Sequence, residues 1–130
     1  MNKKFSLSWK GSSSPKKQRK YRENAPLNIK RKMLAAHLSK ELRSKYKTRN
    51  VPLRKGDSVV IMRGKFSGTE GKIEKVFTKQ LKVTVDSAKI TTKKGNKVPL
   101  KLRPSVLLIK DLNLSDKFRA ESLEKYGKAR

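Results

Sequence analysis

The residue types that could do covalent chemistry in this chain are few and badly placed for it. There is one histidine, His37, and no cysteine, so thiol nucleophiles, thiolate zinc sites and disulfides are excluded together. A lone His with no clustered carboxylates near it in sequence reads as a surface or polyanion-facing side chain, not a general base. Asp57, Glu70 and Glu74 could bind a cation, but Lys and Arg interleave with them, which points to turn capping and local ion pairing instead. Gly64, Gly68 and Gly71 are spaced four and then three apart with no Lys-Ser or Lys-Thr pair after them. That spacing matches neither a phosphate loop nor a dinucleotide fingerprint. No enzymatic activity, cofactor or metal is expected. What remains is cationic: 36 Lys and Arg stand against 10 Asp and Glu, a formal net charge of +26. The chemistry open to them is phosphate neutralisation, in which many dispersed cations release counterions from a polyanion.

Self-repulsion on that scale works against a compact isolated chain, so a polyanion belongs to the working state. Nucleic acid, an anionic membrane and a strongly acidic protein are the candidates, and the close phosphate spacing of nucleic acid favours it. The longest apolar runs, 59–62 and 106–109, fall far short of the ~20 residues of a membrane-spanning helix. Residues 1–20 are basic and Ser-bearing with no acid, yet they lack the apolar helical face of a transit peptide.

At 130 residues the chain has room for one core plus arms. We divide it into a basic N-terminal extension with short helices (1–50), a β domain (51–111) and a C-terminal helix or tail (112–130). The first carries 16 basic and 2 acidic residues, the second 15 and 5, the third 5 and 3. Residues 1–24 have few aliphatics and a Gly-Ser-Ser-Ser-Pro break, the composition of a disordered arm. Ile29, Met33, Ala36 and Leu38 suggest a helix capped by Asn28, and a second short helix starts at Ser39 with Leu42 and Tyr46 on one side. Strands are expected over 57–62, 72–77, 81–86, 90–92, 98–102 and 106–109. Leu81, Val83 and Val85 alternate strictly onto one face. The expected core adds Val59, Ile61, Ile73, Val76, Ile90, Val98, Leu100 and Leu108. Such close spacing leaves no room for crossover helices, so the sheet should be antiparallel and close into a small barrel. Ser115 as N-cap, Asp116 at the positive helix end and Gly127 past the last turn frame a C-terminal helix carrying Phe118, Leu123 and Tyr126.

The stretch Gly56-Asp57-Ser58-Val59-Val60-Ile61-Met62-Arg63-Gly64-Lys65-Phe66-Ser67-Gly68-Thr69-Glu70-Gly71-Lys72-Ile73 places two strands around a glycine-punctuated loop. The glycines permit positive φ and close backbone approach while the aliphatics anchor the loop ends. Arg63, Lys65 and Lys72 are then held on a short stiff loop able to lie along a phosphate backbone. This stretch resembles the KOW motif. With it, Asn24-Ala25-Pro26, the helix around Ile29-Lys30-Arg31-Lys32-Met33, Leu38 to Arg43, Arg49-Asn50-Val51-Pro52 and Pro104-Ser105-Val106 resemble archaeal and eukaryotic members of the large-subunit ribosomal protein family numbered twenty-four in bacteria. The resemblance covers about residues 20–118.

It implies an SH3-like antiparallel β-barrel on an all-β core. It also implies a cytoplasmic structural protein of the large ribosomal subunit that binds the 5′ region of the large-subunit rRNA, acts early in assembly and lies near the mouth of the polypeptide exit tunnel. Neighbouring ribosomal proteins and nascent-chain factors would be its partners, with no homo-oligomer expected. The N-terminal extension departs from the bacterial form and the short tail from the eukaryotic one, which suggests an archaeal source. The candidate RNA-binding residues are Lys16, Lys17, Arg19, Lys20, Arg22, Lys30, Arg31, Lys32, Arg43, Lys47, Arg49, Arg54, Lys55, Arg63, Gly64, Lys65, Phe66, Gly68, Gly71 and Lys72. Phe66 is the first candidate for stacking on a base, and Trp9, Tyr21 and Tyr46 are further aromatics among cations. Deletion of residues 1–50 should lower the salt dependence of RNA binding. The competing reading is a KOW-type transcription or RNA-associated regulatory factor. Such modules come as repeats or beside a second globular domain, and this chain has one barrel with basic arms.

Overall fold

Runs of alternating aliphatic residues form strands here because each buries one face of a shared sheet. The computed structural model describes residues 5–6 and 11–128. Its strands are β1 (Ala35–Leu38), β2 (Asn50–Pro52), β3 (Ser58–Ile61), β4 (Glu70–Phe77), β5 (Lys82–Thr91), β6 (Lys97–Leu102) and β7 (Leu107–Asp111). They make one sheet in the order β2-β1-β7-β3-β4-β5-β6, curled as an SH3-like half-barrel with β2 and β6 at its edges. Around it lie α1 (Pro15–Asn24), α2 (Leu27–Met33), α3 (Lys40–Tyr46) and α4 (Lys117–Lys128), with a 3-10 turn at Pro104–Val106. No helix among the described residues is long and apolar enough to cross a membrane.

Val59, Ile61, Ile73, Val83 and Val85 fill the core as expected, with Val76, Leu81 and Leu100 packed against it. Complete burial of such a side chain is worth about 1.5–3 kcal/mol. Leu108 is half-buried, and its neighbours Leu107 and Ile109 are the buried pair. The parity of β7 is thus opposite to the expected one, because its backbone pairs with β1 on one side and β3 on the other and both contacts fix which face turns inward. Ile90 and Val98 face each other across β5 and β6 but stay 39% and 48% exposed. They lie on a hairpin that projects beyond the core. The two strands expected at 81–86 and 90–92 are the single strand β5, whose register against β6 shifts between Thr84 and Lys89.

Three N-terminal expectations change. Residues 15–24 are helical, with Pro15 in the first turn and no residue buried. The helix expected through Leu38 stops at Met33, with Pro26 at its N-cap position in place of Asn28. Leu34 is buried beyond it, and Ala36 and Leu38 are buried on alternate positions of β1. Here strand pairing overrides helical spacing. β1 pairs antiparallel with β2 but parallel with β7, His37 lying opposite Leu108. The parallel pairing is possible because about seventy residues separate the partners, ample for a crossover. The second helix does start at Ser39, whose hydroxyl accepts from the Leu42 amide at 3.4 Å.

At the C-terminal end Asp116, not Ser115, caps α4: its carboxylate accepts from the Phe118 amide at 3.0 Å. The helix runs through Gly127 to Lys128. Leu123 is buried and Phe118 is 80% exposed, while the side chain of Tyr126 lies outside the described residues.

Gly71 shows what the glycine spacing demands. It lies in β4 opposite Val59, and a Cβ there would overlap the Asp86 carboxylate and the Ser87 hydroxyl and come within 2.7 Å of Val85. Gly71→Ala is expected to cost about 1–3 kcal/mol by overpacking, read as a lower urea midpoint with an unchanged slope. Gly68→Ala meets nothing within 4 Å and should lose only the smaller backbone term of its positive φ.

Candidate nucleic-acid interface

The loop between β3 and β4 is closed by its own backbone. The Ile61 amide donates to the Thr69 carbonyl at 3.0 Å and the Gly68 amide to the Ile61 carbonyl at 2.7 Å. The Ser67 amide reaches the Gly64 carbonyl at 3.0 Å, and the Ser67 hydroxyl donates to the Met62 carbonyl at 3.0 Å. Gly64 and Gly68 take φ of 97° and 82°, the left-handed region that glycine enters freely. Gly71 has an ordinary φ and serves by close packing in the strand. Arg63, Gly64, Lys65 and Gly68 are exposed on the loop, and Phe66 is half-buried against the core. Lys72 is exposed on β4, its amide held by the Asp86 carboxylate at 2.9 Å. Beneath the loop Glu70 pairs with Lys110 at 2.9 Å, and that hydrogen bond raises the ammonium pKa.

Most other candidate cations are unpaired. Lys16, Lys17, Arg19, Lys20 and Arg22 are exposed on α1, Arg31 and Lys32 on α2, Arg43 on α3, and Lys47, Arg49 and Lys55 on connecting segments. Lys30 is half-buried with its ammonium donating to the Glu23 carbonyl at 3.0 Å. Among the described residues the ion pairs are Arg54–Asp116, Lys110–Glu70, Lys117–Glu121 and Arg119–Asp57, so of the candidates only Arg54 is engaged by a carboxylate. The Arg54 guanidinium holds the Asp116 carboxyl below its ordinary range, against a smaller opposing effect of desolvation.

Several cations escape a reading of the sequence. Lys75 shares a cleft of about 740 Å³ with Arg31, Arg54 and Lys55. Lys79, Lys82 and Arg103 line a second cleft beside α1. Lys89, Lys93, Lys94 and Lys97 are exposed on the β5–β6 hairpin, whose tip is closed by the Thr92 amide on the Asn96 carbonyl at 2.9 Å. The Lys93-Lys94-Gly95-Asn96-Lys97 run, a turn signal flanked by cations, is the available sign of that hairpin.

The aromatics divide. Tyr46 is buried in the core, Tyr21 packs on Phe5 with ring centroids 4.8 Å apart, and Trp9 lies outside the described residues. Phe77 has the ammonium groups of Lys75 and Lys101 at 5.4 and 4.7 Å from its ring centre. No group of three or more metal-ligating side chains forms among the described residues.

The motif's aspartate has a role that no local pattern announces. Asp57 is 0% and Arg119 5% exposed, and their side chains meet in a two-pronged pair at 2.6 and 2.8 Å. Asp57 also accepts from the amides of Arg54 at 2.8 Å and Asn113 at 3.0 Å. Arg119 donates further to the carbonyls of Asn113 at 2.9 Å and Pro52 at 3.1 Å. β2, the start of β3 and α4 are thereby tied behind the cationic surface.

Residues 12–126 match the family model of the eukaryotic L26 and archaeal L24 ribosomal proteins. The large ribosomal subunit protein uL24 of Methanospirillum hungatei is 45% identical over 112 residues, covering 86% of this chain and 93% of that protein. The uL24 protein of Korarchaeum cryptofilum is 41% identical over 116 residues, 89% of this chain and 88% of its own. The unpaired cations, the curled sheet and these relationships agree: the chain belongs to the family of ribosomal proteins termed L26 in eukaryotes and L24 in archaea, structural components of the ribosome and not enzymes.

Proposed function

We propose that the chain is a structural constituent of the large ribosomal subunit, held in the cytoplasmic ribosome by direct contact with the large-subunit rRNA. The observation that carries this is the surface of cations without carboxylate partners on α1, α2, α3 and the β3–β4 loop. Such a surface is adapted to a phosphate backbone and costly without one. The resemblance supports the 5′ region of that rRNA as the target, an early place in assembly, a position near the exit-tunnel mouth, and contact there with neighbouring ribosomal proteins and nascent-chain factors. Affinity comes mainly from phosphate neutralisation and specificity from RNA shape.

The first test is sedimentation of the tagged protein through a sucrose gradient followed by a high-salt wash. Travel with the large subunit that survives the wash is the expected result. Free protein at the top, or migration with RNA polymerase, would return the regulatory alternative. At the residue level, Arg63→Glu with Lys65→Glu should weaken binding to a 5′-region rRNA fragment by about tenfold or more, since two contacts are lost and two repulsions gained. Its circular dichroism and melting should stay at wild type, because backbone hydrogen bonds close the loop. Unfolding of this variant would show that the two side chains support the barrel.

A further inference from the structure

The cleft beside α1 offers more than cations. It measures about 840 Å³ and is bounded by α1, the β4–β5 turn and the segment entering the 3-10 turn. That volume falls within the roughly 300–1,000 Å³ of small-ligand clefts. Its lining has three main chemical parts beside one carboxylate, Glu23. Met33, Leu81 and Pro104 supply apolar surface, Gln18 and Gln80 supply carboxamides, and Arg19, Arg22, Lys79, Lys82 and Arg103 supply positive charge. A phosphate backbone lying across the surface would use the cations alone and has no need of the other two.

The carboxamides are committed in complementary ways. Gln18 donates its side-chain nitrogen to the Ser12 carbonyl at 2.9 Å, which leaves its oxygen to accept. Gln80 accepts on its oxygen from Lys101 at 3.1 Å, which leaves its NH2 to donate. A free acceptor and a free donor lining one cleft are the two kinds of partner that the polar edges of a nucleobase call for.

The backbone supplies an independent sign. Leu81 lines this cleft with φ of 54°, a left-handed conformation that a branched bulky residue rarely takes. A tight turn here could have been built with glycine or asparagine at less cost, and strain of this kind gathers at binding sites where a particular side chain is needed. At this turn the leucine both packs against the core and presents apolar surface to the cleft.

We propose that this cleft takes one unpaired nucleotide extruded from the bound RNA. Its base lies against the apolar lining and bonds Gln18 and Gln80, and its phosphates meet the flanking arginines. The inference rests on the direct RNA binding proposed above. An unpaired nucleotide suits it because a duplex keeps its base faces stacked and its pairing edges occupied, whereas a bulged nucleotide offers both.

The test uses the full chain and a 5′-region rRNA fragment probed by 2′-hydroxyl acylation with and without protein, at protein concentrations saturating each variant. Wild type should protect at least one nucleotide that is reactive and unpaired in the free RNA. Gln18→Ala with Gln80→Ala should restore that reactivity, weaken binding by about five- to 150-fold and leave the salt slope unchanged. The same protections with both carboxamides gone would overturn the proposal while leaving RNA binding intact. Failure of wild type to bind the fragment would instead overturn the RNA reading and this inference with it. Both substitutions are at exposed positions, and an unchanged melting curve separates loss of the site from loss of the fold.

Discussion

Asp57→Ala is expected to remove about 3–5 kcal/mol of folding stability, the usual consequence of leaving one member of a buried ion pair without its partner. The total stability of a domain is about 5–15 kcal/mol, and a core this small sits at the low end. The variant should therefore be partly unfolded in mild denaturant. Arg119→Met should cost less than Asp57→Ala. Removing the arginine leaves a carboxylate that still accepts from the Arg54 and Asn113 amides, whereas removing the carboxylate leaves a buried guanidinium with only the Asn113 and Pro52 carbonyls and takes the acceptor from both amides. A double-mutant cycle by urea denaturation measures the coupling, and less than the sum of the single losses should be lost in the double variant. Independent, additive losses would mean that α4 is held by Leu123 and its neighbours, not by the pair. The functional consequence lies in position: Arg54 and Lys55 flank this lock, so loosening it should weaken RNA binding even though neither Asp57 nor Arg119 is exposed to it.

That pair also marks how far the sequence can be read. Asp57 next to Gly56 signals a capped turn, and the Arg54 amide on its carboxylate is that cap. Its partner at Arg119 lies 62 residues away in a helix, and no local periodicity links them. The same division runs through the fold. Val59, Ile61, Ile73, Val83 and Val85 are legible because alternation within a strand is a local property. In β7 the expected core residue Leu108 is off by one from the buried Leu107 and Ile109, because an almost continuous apolar run carries no parity of its own and its neighbours in the sheet decide. Helical spacing claims Ala36 and Leu38 because Ile29 and Met33 before them do lie in a helix. What converts them to strand is pairing with residues 50–52 and with β7, contacts that spacing cannot reveal. For the surface, the sequence identifies which residues are charged, and the stiff loop carrying Arg63 and Lys65 can be placed from its glycines. It does not show that Lys79, Lys82 and Arg103 converge with α1 on a cleft, since three separate segments supply them.

This rearranged N-terminal half alters how its contribution to RNA binding can be measured. Deleting residues 1–50 would also remove Leu34, Ala36, Leu38 and Tyr46 from the core and the whole of β1, so a weaker salt dependence would report unfolding as readily as lost contacts. α1 offers a clean substitute, since none of its residues is buried. Lys16, Lys17, Arg19, Lys20 and Arg22 replaced together by Gln keep similar helix propensity and should change stability by no more than about 0.5 kcal/mol for each substitution. If each cation neutralises one phosphate, the slope of log K against log salt should become shallower by ~3.5–4.5. A difference of about 4 means that between 50 and 200 mM salt the wild type loses roughly 250-fold more affinity than the variant. Fluorescence anisotropy on a labelled 5′-region rRNA fragment across that range measures it. An unchanged slope would take α1 off the RNA and leave phosphate neutralisation to the β3–β4 loop, α2, α3 and the projecting hairpin. A change near 4 would make α1 the largest single electrostatic contributor, a helix that adds nothing to the core and is positioned for its charge.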